Sequence, residues 1–250
     1  MKRALCVCLI LLVCLAAVPF TAADDYPVCL DGYPVYEGSD LCLGDIVTFG
    51  RYEQDGISYN GKEEIEWIVI DQDGDSVLLL SLYGLDVAPY NSETVNTNWA
   101  NCSLRAWLNG TFYKTAFNGD ERAIIETTYV DNSSSQGLSD SLGGPATHDN
   151  VFLLSYREAY EYMPSSYDRM CLPTDYAMIR CCMISAKYRK EGMSTTYWWT
   201  RSSGRTRIMA LLIHSDGNQG YENVSWGNHA SDNMYHSGAC VRPAVWVTIE

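Results

Sequence analysis

Apolar residues fall along this chain in short runs, each closed off by Gly, Asn, Asp or Ser, a punctuation that predicts strands and turns rather than long helices. Gly44–Gly50 reads as a strand leading into polar Arg51–Lys62. Ile65–Asp71 and Ser76–Leu82 read as strands joined by Gln72-Asp73-Gly74-Asp75, and the Asp-Gly pair makes that connection a hairpin. The period then changes. In Asn101–Asn109, Leu104, Trp107 and Leu108 fall on one helical face, and Gly110 is placed to stop the helix. Thr111–Phe117 supplies Phe112, Tyr113 and Phe117 as core anchors. Asn118 caps a helix over Asp120–Glu126 that buries Ile124 and Ile125.

The second half repeats the mixture. Val130–His148 lacks any period and reads as a loop, punctuated by Asn132–Ser135 and Gly143–Pro145. Val151–Leu154 is a short buried strand. Ser155 and Glu158 have capping-box spacing for a helix that carries Ala159, Tyr162 and Met163 and ends at Pro164. Thr174 caps a helix running to Ala186, and Lys187–Ser194 reads as a basic connector. The stretch Thr195–Trp246 has two apolar ends around a polar, turn-rich middle. Tyr197–Arg201 and Ile208–His214 are strands, Asp216-Gly217-Asn218 is a turn into Gln219–Ser225, and Val241–Val247 is the closing strand. Pro243 inside that last run implies an edge position or a bulge. Short helices before a mostly β finish give an α+β fold class.

Composition adds an address. Lys2 and Arg3 precede the apolar run Ala4–Val18, and small residues end at Ala23, so residues 1–23 read as a signal peptide, leaving no stable transmembrane segment after cleavage. The apolar run is short for a membrane span. Asp24–Leu43 is a Tyr-, Pro- and Gly-rich N-terminal loop or cap, and residues 44–250 form a single domain. The formal net charge of −14 repels phosphate backbones and argues against a nucleic-acid partner. Of the ten cysteines, Cys6, Cys8 and Cys14 lie in the leader. Export makes disulfides available to the others, with Cys29–Cys42 the first candidate pair and Cys240 with Cys181 or Cys182 the second. Cys102, within a helical pattern, reads as a small buried hydrophobe.

WWTRSSG (Trp198–Gly204) followed by VRPAVW (Val241–Trp246) resembles the closing signature of a bacterial family catalogued as a domain of unknown function, number 6273. Further matches are GDIVTFGRYEQDG (Gly44–Gly56), IEWIVID (Ile65–Asp71), NCSLRAWLNGTFYKTAF (Asn101–Phe117), THDNVFLLS (Thr147–Ser155) and RMCLPTDYAM (Arg169–Met178), in order along the chain. The resemblance implies a C-type-lectin-like fold, related in pattern to formylglycine-generating enzymes: short helices packed on small antiparallel sheets, with a loop-rich C-terminal hairpin region. It carries over no catalytic residue. Thr200 and Ser203 stand where the pattern WWLRSPG has Leu and Pro, which implies a looser turn at Ser202–Gly204. Cys240 has no recognisable cysteine partner in its own segment, which speaks against an inherited oxidase activity.

The residues themselves offer little catalytic chemistry. There is no Gly-x-Ser-x-Gly elbow and no Cys-x-x-Cys, and Ser202 and Ser203 read as turn hydroxyls. Asp71, Asp73 and Asp75 have a calcium-loop beginning, but Ser76 and Leu82 occupy the positions that need Gly and Glu. His214, His229 and His236 are too widely spaced for a zinc site. No cofactor is expected. Calcium is the one cation the hairpin could hold, on Asp216, Asn218, Glu222 and Asn223. A binding face is the better reading. Asp216, Asn218, Tyr221, Asn223, Trp226, Asn228, His229 and Tyr235 mix aromatic rings with amides, as surfaces for glycans and protein partners do. The expectation is therefore a secreted or cell-surface, non-catalytic module for a glycan or protein ligand. The alternatives are a thiol-dependent cell-envelope enzyme using Cys181, Cys182 and Cys240, or a structural surface protein.

Overall fold

The computed structural model describes residues 41–180, 182–225 and 238–249. Residues 1–23, where a signal peptide is expected, and Cys29 lie outside them. The chain is mixed α/β, mostly strands with a few short helices, and its two larger sheets carry the core. The first sheet is antiparallel and orders the strands Ile46–Tyr52, Glu63–Asp73, Ser76–Ser81 and Ala244–Thr248. Its alternation is plain in the second strand, where Ile65, Trp67 and Val69 are buried between partly exposed Glu64, Glu66 and Ile68. The expected hairpin at Gln72–Asp75 forms, with Gly74 at φ 59° in the left-handed region.

The second sheet has five strands in the order Gln219–Asn223, Met209–Ile213, Trp198–Ser203, Cys240–Val241 and Asp86–Val87. Its central strand, Trp198–Ser203, is buried at every residue. Ser202 and Ser203, expected in a turn, are therefore strand residues. The Ser202 hydroxyl donates to the Gln136 carbonyl at 2.6 Å and accepts from Tyr156 N–H at 3.0 Å, because the helix Tyr156–Tyr162 packs its start against this strand. Thr200, in place of Leu, satisfies its hydroxyl on the Leu211 carbonyl at 2.9 Å.

The closing apolar run is two strands, not one. Pro243 has no N–H for a ladder, and there the chain leaves one sheet for the other. Cys240–Val241 pairs with Trp198 and with Asp86–Val87, whereas Ala244–Thr248 pairs with Ser76–Ser81. The junction is stitched by Ser81 N–H to the Pro243 carbonyl at 2.9 Å. It leaves Arg242 between the sheets.

The helices depart from expectation in informative ways. Ser103–Trp107 does not stop at Gly110; it widens into a π turn over Leu108–Phe112 and continues as Tyr113–Ala116. Leu104, Leu108, Phe112 and Ala116 form a buried stripe at intervals of four, and that burial outweighs the ~1 kcal/mol cost of a helical glycine. All three expected caps are present: Asn118, which Glu121 completes into a capping box, Ser155 with Glu158, and Thr174. Ile125 is buried as expected, but Ile124 is exposed. The helix expected over Thr174–Ala186 covers only Asp175–Ile179 behind its Thr174 cap, and the basic connector is a hairpin of Ile184–Lys190 with Met193–Thr196. Val151–Leu154 is buried but holds the sheet by a single bridge, Phe152 to Ala244. The ends of the Val130–His148 loop are drawn together by a ladder of Thr128–Val130 with Thr147–Asp149.

Candidate functional site

The sheet crossing at Pro243 positions a pocket of about 280 Å³ over the outer face of the first sheet. Ile68, Ile70, Leu82 and Met163 give it apolar walls, and Lys190 and Arg242 put two cations on its lining. Arg242 is 2% exposed. Its Nε donates to the Ser81 carbonyl at 2.9 Å, its Nη1 lies 3.7 Å from the Met163 sulfur, and its guanidinium is 5.2 Å from the centre of the Trp198 ring. Among the described residues no carboxylate forms an ion pair with it. A thioether is a weak acceptor, so among the described residues this guanidinium has one strong partner for five N–H donors.

Lys190 comes to the same pocket from the Ile184–Lys190 strand, and its Nζ donates to the Met170 carbonyl at 3.3 Å. Burial, and next the positive Arg242, lower its pKa. Burial likewise lowers that of Arg242. Asp168 lines the rim but is exposed and bonded to neither cation. The Tyr162 hydroxyl, which also lines the pocket, donates to Asp71 at 2.8 Å. Two cations thus share a partly dry space in which each penalises the other.

The residues expected to form a ligand face divide differently. Trp226, Asn228, His229 and Tyr235 lie outside the described residues. Asp216 accepts from Asn218 N–H at 2.9 Å, closing their own turn. Asn223 accepts from Ser225 N–H at 3.0 Å and from the Thr94 hydroxyl at 3.2 Å. The Tyr221 hydroxyl donates to Asp140, with the Arg205 guanidinium 5.5 Å from its ring. The structure therefore brings Tyr221 and Asn223 onto one strand, with their polar atoms already engaged. Among the described residues the acids that converge closely are Glu53, Asp55 and Glu63, none of them from the hairpin considered for calcium.

Among the cysteines, Cys42, Cys102, Cys171, Cys182 and Cys240 are buried free thiols, and Cys29 and Cys181 lie outside the described residues. Cys102 is the N-cap of the Ser103–Trp107 helix, and burial pushes its thiol up to about 12. Cys182 bridges to Gly238, two residues before Cys240, and its thiol interacts with the Cys240 thiol. Sequence reasoning missed Arg242 and Lys190. The signal for Arg242 was present: a charge within an apolar run, next to a proline that forbids a continuous strand. Lys190 carried no such signal.

The chain belongs to the family described as Domain of unknown function (DUF6273), whose model matches residues 74–249. The match starts inside the hairpin of the first sheet, so Gly44–Gly56 and Ile65–Asp71 precede it, although both pair into that sheet. No curated protein and no solved structure matches the chain. No helix among the described residues is long and apolar enough to cross a membrane.

Proposed function

We propose that this domain is an exported, non-catalytic binding module whose pocket at Arg242 takes a small amphipathic acid: an apolar body ending in a carboxylate. One observation carries the reading. A guanidinium that is 2% exposed faces an apolar pocket with no carboxylate partner among the described residues. Leaving a buried charge uncompensated costs several kcal/mol, and a carboxylate returns that energy through paired N–H···O bonds in guanidinium geometry. Lys190 adds a second charge at the mouth, and the Ile68, Ile70 and Leu82 walls cover the apolar body. Pockets of this kind, apolar with a few convergent polar groups, are where small ligands bind.

The test is calorimetric titration of the full chain with octanoate and with octanol. Octanoate binds at least tenfold more tightly, and Arg242→Met removes that preference. Equal affinity for acid and alcohol, or undiminished octanoate binding by the variant, would overturn the reading.

A second reading keeps the Gln219–Asn223 strand as a face for a glycan or protein ligand, favoured by the half-exposed Tyr221 ring with Arg205 stacked near it. Its C-type-lectin-like frame is supported by the family's sequence pattern and by a closing strand that pairs beside the first hairpin. Glycan-array binding that is lost in Tyr221→Ala would favour this reading over the pocket.

A further inference from the structure

Two thiols from distant parts of the chain, Cys171 and Cys240, flank Gly84, and a third, Cys182, lies beside Cys240. A methyl group placed on that glycine would lie 2.9 Å from the Cys240 sulfur and 3.7 Å from the Cys171 sulfur. Cys171 is joined to the second-sheet region by Thr196 N–H to its carbonyl at 2.9 Å, and the Thr196 hydroxyl is 3.4 Å from the Cys240 sulfur. Cys182 enters from the end of the Asp175–Ile179 helix through its N–H to the Ala177 carbonyl at 3.0 Å, and bridges to Gly238 two residues before Cys240. Its thiol meets that of Cys240. The Met183 N–H donates to the Gly238 carbonyl at 2.9 Å beside that bridge, which holds the Cys182 and Gly238 segments at strand-neighbour distance, and Cys240 N–H to the Tyr197 carbonyl at 2.7 Å fixes Cys240 on the second sheet.

We infer that Cys182 and Cys240 are a thiol–disulfide exchange site, which closes to an intramolecular disulfide by reaction with a small organic disulfide.

The two thiols are not equivalent. Cys182 has its proton affinity lowered, first by the hydrogen bond from Cys240, whereas Cys240 is raised well above the ordinary thiol range by burial and by Cys182. Cys182 also keeps a sliver of surface, 7% against 0% for Cys240. Cys182 is therefore the attacking thiolate and Cys240 the thiol that resolves. In the first step the Cys182 sulfur attacks one sulfur of R–S–S–R, a mixed disulfide forms and one RS⁻ leaves. Cys240 gives its proton to that thiolate. Its sulfur then attacks Cys182, the Cys182–SR bond breaks, and the second RS⁻ takes the proton Cys182 released on ionising. Two protein thiols are oxidised and one external disulfide is reduced to two thiols. Cys171 stands apart from this step. Burial raises its thiol despite the nearby Arg242 and Lys190.

The pairing is independent of what the Arg242 pocket binds, and its test does not use that pocket. The reduced full chain is incubated with oxidised glutathione at neutral pH, alkylated without reduction and mapped by fragmentation mass spectrometry. A Cys182–Cys240 cross-link is expected, with a mass lower by about 2 Da. Cys171→Ser and Cys181→Ser should close at the wild-type rate. Cys240→Ser should instead stop with glutathione on Cys182, a product that a merely structural pair would not give. Because the cross-link is read first in the wild-type chain, the result does not depend on the variants folding. A cross-link to Cys171 or Cys181, or a native chain in which Cys182 stays free and unmodified, would overturn the assignment.

Discussion

Arg201 and Arg242 stand in corresponding settings: each lies in an apolar stretch of the second half of the chain, and each is 2% exposed. Their partners differ completely. Arg201 forks both terminal nitrogens onto Glu158, donates Nε to the Asn132 side chain at 3.2 Å, and reaches the Leu153 and Asp131 carbonyls at 3.0 Å each. Glu158 in turn caps its own helix by accepting from Ser155 N–H at 2.9 Å. One ion pair therefore ties the central strand, the Val130–His148 loop and the Tyr156–Tyr162 helix together. Among the described residues Arg242 has one carbonyl and a thioether. Arg169, equally buried, is intermediate: it lacks a carboxylate but donates to the Gly217, Met163 and Pro164 carbonyls. A buried cation whose donors are all satisfied belongs to the architecture. One whose donors are largely unsatisfied beside an open pocket is poised for a ligand.

That contrast is broken most sharply at Arg201. Arg201→Met strands Glu158 and several acceptors, so it should lower unfolding stability by about 3–5 kcal/mol in urea denaturation. Arg242→Met removes an uncompensated charge instead, and should fall within about 1 kcal/mol of wild type or stabilise the fold, while losing octanoate binding. If Arg242→Met were the more damaging of the two, the distinction between architecture and site would fail.

Titration sharpens the same comparison, with one charge that stabilises the fold and one that penalises it. The Asp131 carboxyl, beside Arg201, is held below the usual carboxylate range, chiefly by Ser133 N–H. Its folded value lies below its unfolded one, so its contribution to stability is present at neutral pH and is lost as pH falls through the depressed value. Asp131→Asn should flatten the acid limb of the Tm–pH curve. For Lys190 the charged form is the penalised one: burial lowers its folded value beneath the ordinary 10.5, so the unfolded chain binds more protons between the two and stability again rises with pH, in an alkaline window. Lys190→Met should remove that alkaline rise. Octanoate affinity should fall as pH rises through the lowered Lys190 value, because a carboxylate favours the ammonium form. The smallest effect belongs to the exposed hairpin, where Tyr221→Ala should change stability by no more than about 0.5 kcal/mol by thermal melting.

Much of the local structure could be read from the chain. Ser155 with Glu158, Asn118 with Glu121 and the Asp73-Gly74 turn are short-range signals, complete within a few residues, and all three are present. Gly110 misled because the reading weighed its propensity and not the four-residue stripe running through it. Lys187–Ser194 is solvated as expected, but it is a hairpin and not a connector, because its strand pairing depends on a partner that its own basic residues do not reveal. For the candidate site, Cys182 and Cys240 were both marked as thiols of interest. The eight-residue ligand face is half outside the described residues, and its described half is occupied with its own turns.

By itself, the sequence determined the mixed α/β class, the helix caps, the first hairpin, the buried tryptophan strand and membership in the family, since each rests on residue type and near-neighbour spacing. Only the tertiary structure decided that the closing run splits at Pro243, that the described residues pair Arg201 with a carboxylate but not Arg242, and that Cys182 meets Cys240. Those outcomes depend on which distant segments share a sheet, and hence on which acceptors surround a buried donor, and neither quantity is a property of any local stretch of chain.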